Sequence, residues 1–130
     1  ILPPASSVHE SGRITFAMFG RKGLLKIQGR PDPEDVRRAR RGLDLCRRAM
    51  LSGRYDLVVM DEVNIAHHFG LLDIADVLAV IDQKPDSVEL VLTGRRAPQP
   101  LIDRAGLVTE MKLIKHYYDA GIQARRGIEE

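Results

Sequence analysis

Residues 57–60 read Leu-Val-Val-Met, an unbroken apolar run that meets two carboxylates, Asp61 and Glu62. Continuous apolarity, where alternation would mark a half-exposed strand, predicts a strand buried on both faces, as in a parallel sheet. Three further strands are predicted by β-branched and aromatic residues bounded by turn formers, at residues 13–19, 88–92 and 107–111. Between them the pattern changes to a spacing of three and four. Val36, Ala39, Leu43, Cys46 and Met50 form one apolar stripe. Asp32 is placed as the N-cap of that helix, Pro33 at its first position, Glu34 and Asp35 in its first turn and Gly53 at its end. Helices are also predicted over 71–81, with Ile74, Val77, Leu78 and Ile81 on one side, and over 100–105. Residues after 111 read as a loop-rich tail. Strands alternating with helices predict one α/β domain over 1–130, in three layers around a mostly parallel sheet.

Composition changes little in that picture. The chain has 130 residues, 44% hydrophobic and 29% charged, an ordinary globular balance for a single domain. No apolar run approaches the roughly 18 residues that a membrane span needs. The opening residues lack the basic start and apolar core of a signal peptide. The single cysteine, Cys46, forbids an internal disulfide, fits a reducing cytoplasm and lies on the apolar stripe, where it serves the core and not as a nucleophile. A net charge of +2 does not argue for nucleic acid. Arg37, Arg38, Arg40, Arg41, Arg47 and Arg48 on the first helix read as a solvated basic face.

Candidate chemistry sits at strand ends. In a parallel α/β sheet, ligands bind outside the carboxyl ends of the strands. Asp61-Glu62 ends one strand and Thr93-Gly94-Arg95 ends another. A carboxylate there can hold Mg²⁺ that bridges nucleotide phosphates, an arginine can offset phosphate charge, and a glycine lets backbone approach a ligand. From the residues alone, solvated carboxylates or a cap on the next turn remain the equal alternative. His67 and His68 are adjacent and point different ways, which does not suit zinc. No Gly-x-Ser-x-Gly elbow exists for a serine hydrolase.

The second half resembles the P-loop type of ATP:corrinoid, or cob(I)alamin, adenosyltransferase. The stretches that carry the likeness are DLVVMDEVN at 56–64, GLLD at 70–73, VELVLTGR at 88–95, LVTEM at 107–111 and KHYYDAGIQARRGIE at 115–129. The resemblance implies a RecA-like P-loop fold, with the phosphate loop on the first strand. These 130 residues contain no Gly-x-x-x-x-Gly-Lys-[Ser/Thr]. The nearest cluster, Gly20-Arg21-Lys22-Gly23, has another spacing. The resemblance therefore implies an N-terminally incomplete domain, beginning after the family's first two strands.

It also implies the reaction. A reduced Co(I) corrinoid attacks the 5′ carbon of ATP and expels triphosphate, in cobalamin synthesis or salvage. By resemblance Glu62, with Asp61 beside it, holds Mg²⁺, and Asp61, Glu62, Thr93 and Arg95 bind nucleotide. Phe19, Leu24 and Asn64 are the corrinoid candidates; Lys26 stands where the family often has an aromatic residue. Lys115, His116 and Asp119 shape a rim or dimer-facing tail, or simply tether it. A homodimer and a flavin-dependent reductant protein are the implied partners. The rival expectation is an inactive corrinoid- or nucleotide-binding remnant without its phosphate loop.

Overall fold

A computed structural model describes residues 8–11, 14–21 and 30–126. Its elements are, in order, β1 (Val8–Ser11), β2 (Ile14–Ala17), α1 (Pro33–Leu51), β3 (Leu57–Met60), α2 (Val63–His68), α3 (Ile74–Ile81), β4 (Glu89–Leu92), α4 (Gln99–Arg104) and a 3₁₀ turn at Tyr117–Ala120. β1 and β2 pair antiparallel, Val8 opposite Ala17 and Ser11 opposite Ile14. β3 and β4 pair parallel, Leu57 opposite Glu89 and Met60 opposite Leu92.

Helix α1 starts where its capping residues place it. Asp32 accepts from the backbone N–H of Glu34 at 2.8 Å, and Pro33 is the first helical residue. Arg21 ties the chain after β2 to this end through Asp32 and the buried Asp35. The helix closes at Ser52, followed by Gly53 at φ +67°, a conformation that favours glycine. Much of the arginine face is neutralised locally: Glu34 pairs with Arg37 and Arg38, and Asp44 with Arg47 and Arg48.

Leu43 and Met50 of α1 meet Val58 and Met60 of β3, Val77 and Val80 of α3, Val88, and Leu101 of α4 in one buried cluster. The covering elements all lie on the face of the sheet that carries Val58 and Met60. Leu57, Val59 and Val91 on the other face are exposed. The expected burial of β3 on both faces is therefore corrected: its side chains suit two covered faces, and among the described residues only one is covered.

Other expectations shift. β2 occupies 14–17 and pairs antiparallel with β1, so among the described residues the strands form one parallel and one antiparallel pair. The predicted helix over 71–81 begins at Ile74, because Asp73 caps it by accepting from Ala75 N–H at 3.0 Å. Residues 107–111 are not a strand, and Leu107 and Met111 are exposed. A strand needs a ladder partner for its N–H and C=O groups, and no described strand pairs with this segment. Helix α2 had no counterpart in the periodicity, because six residues are too few to show one.

Candidate functional site at the ends of β3 and β4

The parallel ladder places the two strand ends side by side. Asp56 C=O accepts from Glu89 N–H at 2.7 Å, and Met60 C=O accepts from Thr93 N–H at 3.1 Å. Pairing thus extends one residue beyond β4 and sets Thr93 against Asp61. The Thr93 hydroxyl donates to Asp61 Oδ1 at 2.6 Å and accepts from the backbone N–H of Glu62 at 2.9 Å. Asn64 N–H then reaches Thr93 C=O at 3.3 Å, which fastens the start of α2 to the end of β4.

Glu62 pays for this arrangement in backbone geometry, with φ 58° and ψ 23°. That left-handed region is uncommon for a residue with a Cβ, and such outliers collect at functional sites. Gly94 has φ +124°, and a Cβ there would lie 3.1 Å from Asn64 Cβ and 3.3 Å from Glu62 Oε2. A side chain there would crowd Asn64 and the Glu62 carboxylate, and the positive φ itself favours glycine. Asn64 is buried, and its Oδ1 has no hydrogen-bond partner among the described residues.

Asp61, Glu62, Asn64, Thr93 and Gly94 are therefore brought together as one unit. Arg95 follows on the exposed loop. Its neighbour Arg96, also at positive φ (60°), donates to His68 Nε2 at 2.6 Å. His67 points elsewhere, its Nδ1 3.1 Å from Leu72 C=O, as adjacent positions on a helix dictate. Among the described residues no three His, Cys, Asp or Glu side chains gather as a metal cage. Phe19 faces α1: a Cβ on Gly42 would lie 3.1 Å from its ring. Leu24 and Lys26 lie outside the described residues. His116 accepts from Tyr118 N–H at 3.0 Å and caps the 3₁₀ turn, while Lys115 and Asp119 are exposed. Burial pushes the Cys46 thiol up, away from thiolate chemistry.

Sequence reasoning found both strand ends. It missed the left-handed Glu62 and the bridging role of Thr93. The available signal was Thr93-Gly94 at a strand end opposite Asp61, but hydrogen-bond direction depends on register, which apolarity does not set.

A family model described as ATP:corrinoid adenosyltransferase BtuR/CobO/CobP matches residues 5–129. A corrinoid adenosyltransferase of Sinorhizobium sp. is 40% identical over 96 residues, covering 73% of this chain and 45% of that protein. One of Pseudomonas aeruginosa is 39% identical over 116 residues, 89% of this chain and 56% of that protein. The corrinoid adenosyltransferase CobA of Salmonella typhimurium is 31% identical over 74 residues, 57% of this chain and 38% of that protein. The chain thus spans about half the length of the Sinorhizobium and Pseudomonas relatives.

Proposed function

Because the chain belongs to the ATP:corrinoid adenosyltransferase family BtuR/CobO/CobP, we propose that it supplies the carboxylate half of a site that moves the 5′-deoxyadenosyl group of ATP onto the cobalt of a Co(I) corrinoid. The observation that carries this is the joined unit of Asp61, Glu62, Thr93 and Gly94 at the carboxyl ends of two parallel strands. The cobalt nucleophile belongs to the substrate, so no residue of the chain attacks. The protein holds C5′ in line, keeps water out and stabilises the charge on the leaving triphosphate.

The donor set fits Mg²⁺. This ion takes oxygen ligands and binds through one or two carboxylates together with substrate phosphates, so it needs no cage of protein groups. Glu62 is exposed and carries the carboxylate nearest Gly94; Asp61 supports it through Thr93. When bound, the ion offsets charge on the triphosphate. Arg95, on the adjoining loop, adds a cation for the same leaving group. Phe19 is the corrinoid contact in this reading, and Asn64 acts from beneath Gly94. The phosphate cradle of a RecA-like three-layer fold, a homodimer, a cytoplasmic setting and a flavin-dependent reductant protein complete the proposal. No described helix is long and apolar enough to cross a membrane.

The test is Glu62→Gln in the full-length protein, which keeps shape and removes charge. Adenosylation, followed by the visible absorbance change as the Co–C bond forms, is expected to slow at every Mg²⁺ concentration, with weaker Mg²⁺-dependent ATP binding. Wild-type rates across the Mg²⁺ titration would remove Glu62 from the site. A full-length wild-type protein that binds corrinoid or ATP without transfer would favour an inactive binding protein.

A further inference from the structure

Within the strand-end unit, Thr93 is the residue whose side chain is committed on both sides. Its hydroxyl proton goes to Asp61 Oδ1, and its oxygen takes the N–H of Glu62. Glu62 meanwhile sits at φ 58°, a conformation that persists only where its surroundings over-determine it. The N–H that Thr93 holds belongs to the strained residue itself. Without that acceptor, Glu62 N–H has no partner among the described residues, and its φ is free to return to the ordinary right-handed region. The carboxylate would then leave its place 3.3 Å from the point where a Cβ on Gly94 would stand.

We propose that Thr93 is a positioning residue: its hydroxyl ties Asp61 to the backbone of Glu62 and holds Glu62 in the left-handed conformation that sets its carboxylate against Gly94. Thr93 then makes no ligand contact of its own. Asp61 works through it, as the charged acceptor that orients the hydroxyl so that its lone pair faces Glu62. This role deepens the proposed metal and nucleotide site and rests on it for its purpose, but the link itself is a property of the ligand-free protein.

Two measurements on the full-length protein separate the link from its purpose. The first is NMR of the ligand-free protein labelled at glutamate, reading the backbone carbon shifts and the HN–Hα coupling that report φ at residue 62. The second is calorimetric titration with Mn²⁺·ATP in the absence of corrinoid, so that nothing turns over. Thr93→Val, which keeps the shape and removes the hydroxyl, is expected to move Glu62 out of positive φ. It should weaken Mn²⁺·ATP binding by roughly tenfold or more, as loss of a group that orients a metal ligand does. Thr93→Ser, which restores the hydroxyl, is expected to recover both. Wild-type φ signals in Thr93→Val would overturn the proposal, as would a Thr93→Ser protein that behaves like Thr93→Val. A displaced Glu62 with unchanged Mn²⁺·ATP affinity would uphold the link and refute the metal reading instead. Should Thr93→Val fail to fold, Asp61→Asn reads the same link through a weaker acceptor: shifted Glu62 signals support it and wild-type signals overturn it.

Discussion

On one face of the β3–β4 sheet, Val58 and Met60 are 7% and 5% exposed; on the other, Leu57 and Val59 are 52% and 48% exposed. The residues are of one kind and alternate along a single strand. Their difference comes from what lies above them. α1 and α3 cover the first face with Leu43, Met50, Val77 and Val80, and no described element covers the second. A strand's apolarity therefore reports what its faces can accept, and the covering is supplied by other parts of the chain. β3 has a second open side as well. Parallel pairing with β4 uses the N–H and C=O groups of alternate residues, so those of Leu57 and Val59 point to an edge with no described neighbour.

The largest expected effect breaks the covered face. Met60→Ala should cost about 2–5 kcal/mol of unfolding free energy, because the cavity opens inside a packed cluster. Leu57→Ala in the same 130-residue chain should cost about 1 kcal/mol or less, since half of that side chain already meets water. Urea denaturation of both variants checks the ratio. The same pair in the full-length protein sharpens it. A cost for Leu57→Ala that rises into the Met60 range would show that a segment beyond these residues covers the second face; a cost that stays small would show that the face remains bare.

A smaller effect concerns association. Exposed apolar side chains beside unpaired ladder groups form a template for another strand. The 130-residue chain is expected to sediment as a concentration-dependent mixture. Val59→Lys, which charges the bare face without touching the cluster, should shift it toward monomer. A concentration-independent monomer in the unmodified chain would mean that this edge is protected in a way the β3–β4 pair does not reveal.

Legibility followed the range of the interaction that fixes each feature. α1 was readable because its cap, its first-turn proline and its closing Gly53 are all local. β3 and β4 were readable because a short apolar run at strand length, four residues in β3 and Leu90, Val91 and Leu92 in β4, leaves few options. The strand expected over 107–111 was wrong because a strand is a relation between two segments, and its residues carry no record of the second. The site divides in the same way. Asp61, Glu62, Thr93 and Gly94 were visible as strand-end chemistry. The positive φ of Glu62 and the two bonds of one hydroxyl depend on register across the sheet.

The smallest expected effect acts on the helix that does the covering. Asp32 caps α1, and its carboxyl is held below the ordinary carboxylate value, first by the N–H of Glu34 and then by Arg21. Glu34 in the first turn is also held low, first by Arg37 and then by Arg38. In the unfolded chain both groups return to ordinary values. A carboxylate with a lowered folded pKa contributes stability that is fully present above its unfolded value and is lost as pH falls through the folded one. Acidification from neutral pH should therefore leave the melting temperature level until the ordinary carboxylate range, then lower it. Asp32→Ala removes the capping acceptor, so it should start from a lower melting temperature and fall less steeply in that acidic window. Asp32 is exposed and Glu34 half-buried, so solvent and salt screen the Arg21 and Arg37 contributions, and added salt should reduce the difference in slope while leaving most of the capping loss. Parallel pH profiles for the two proteins at low salt would show that the α1 cap plays no part in the acid sensitivity of the covered face.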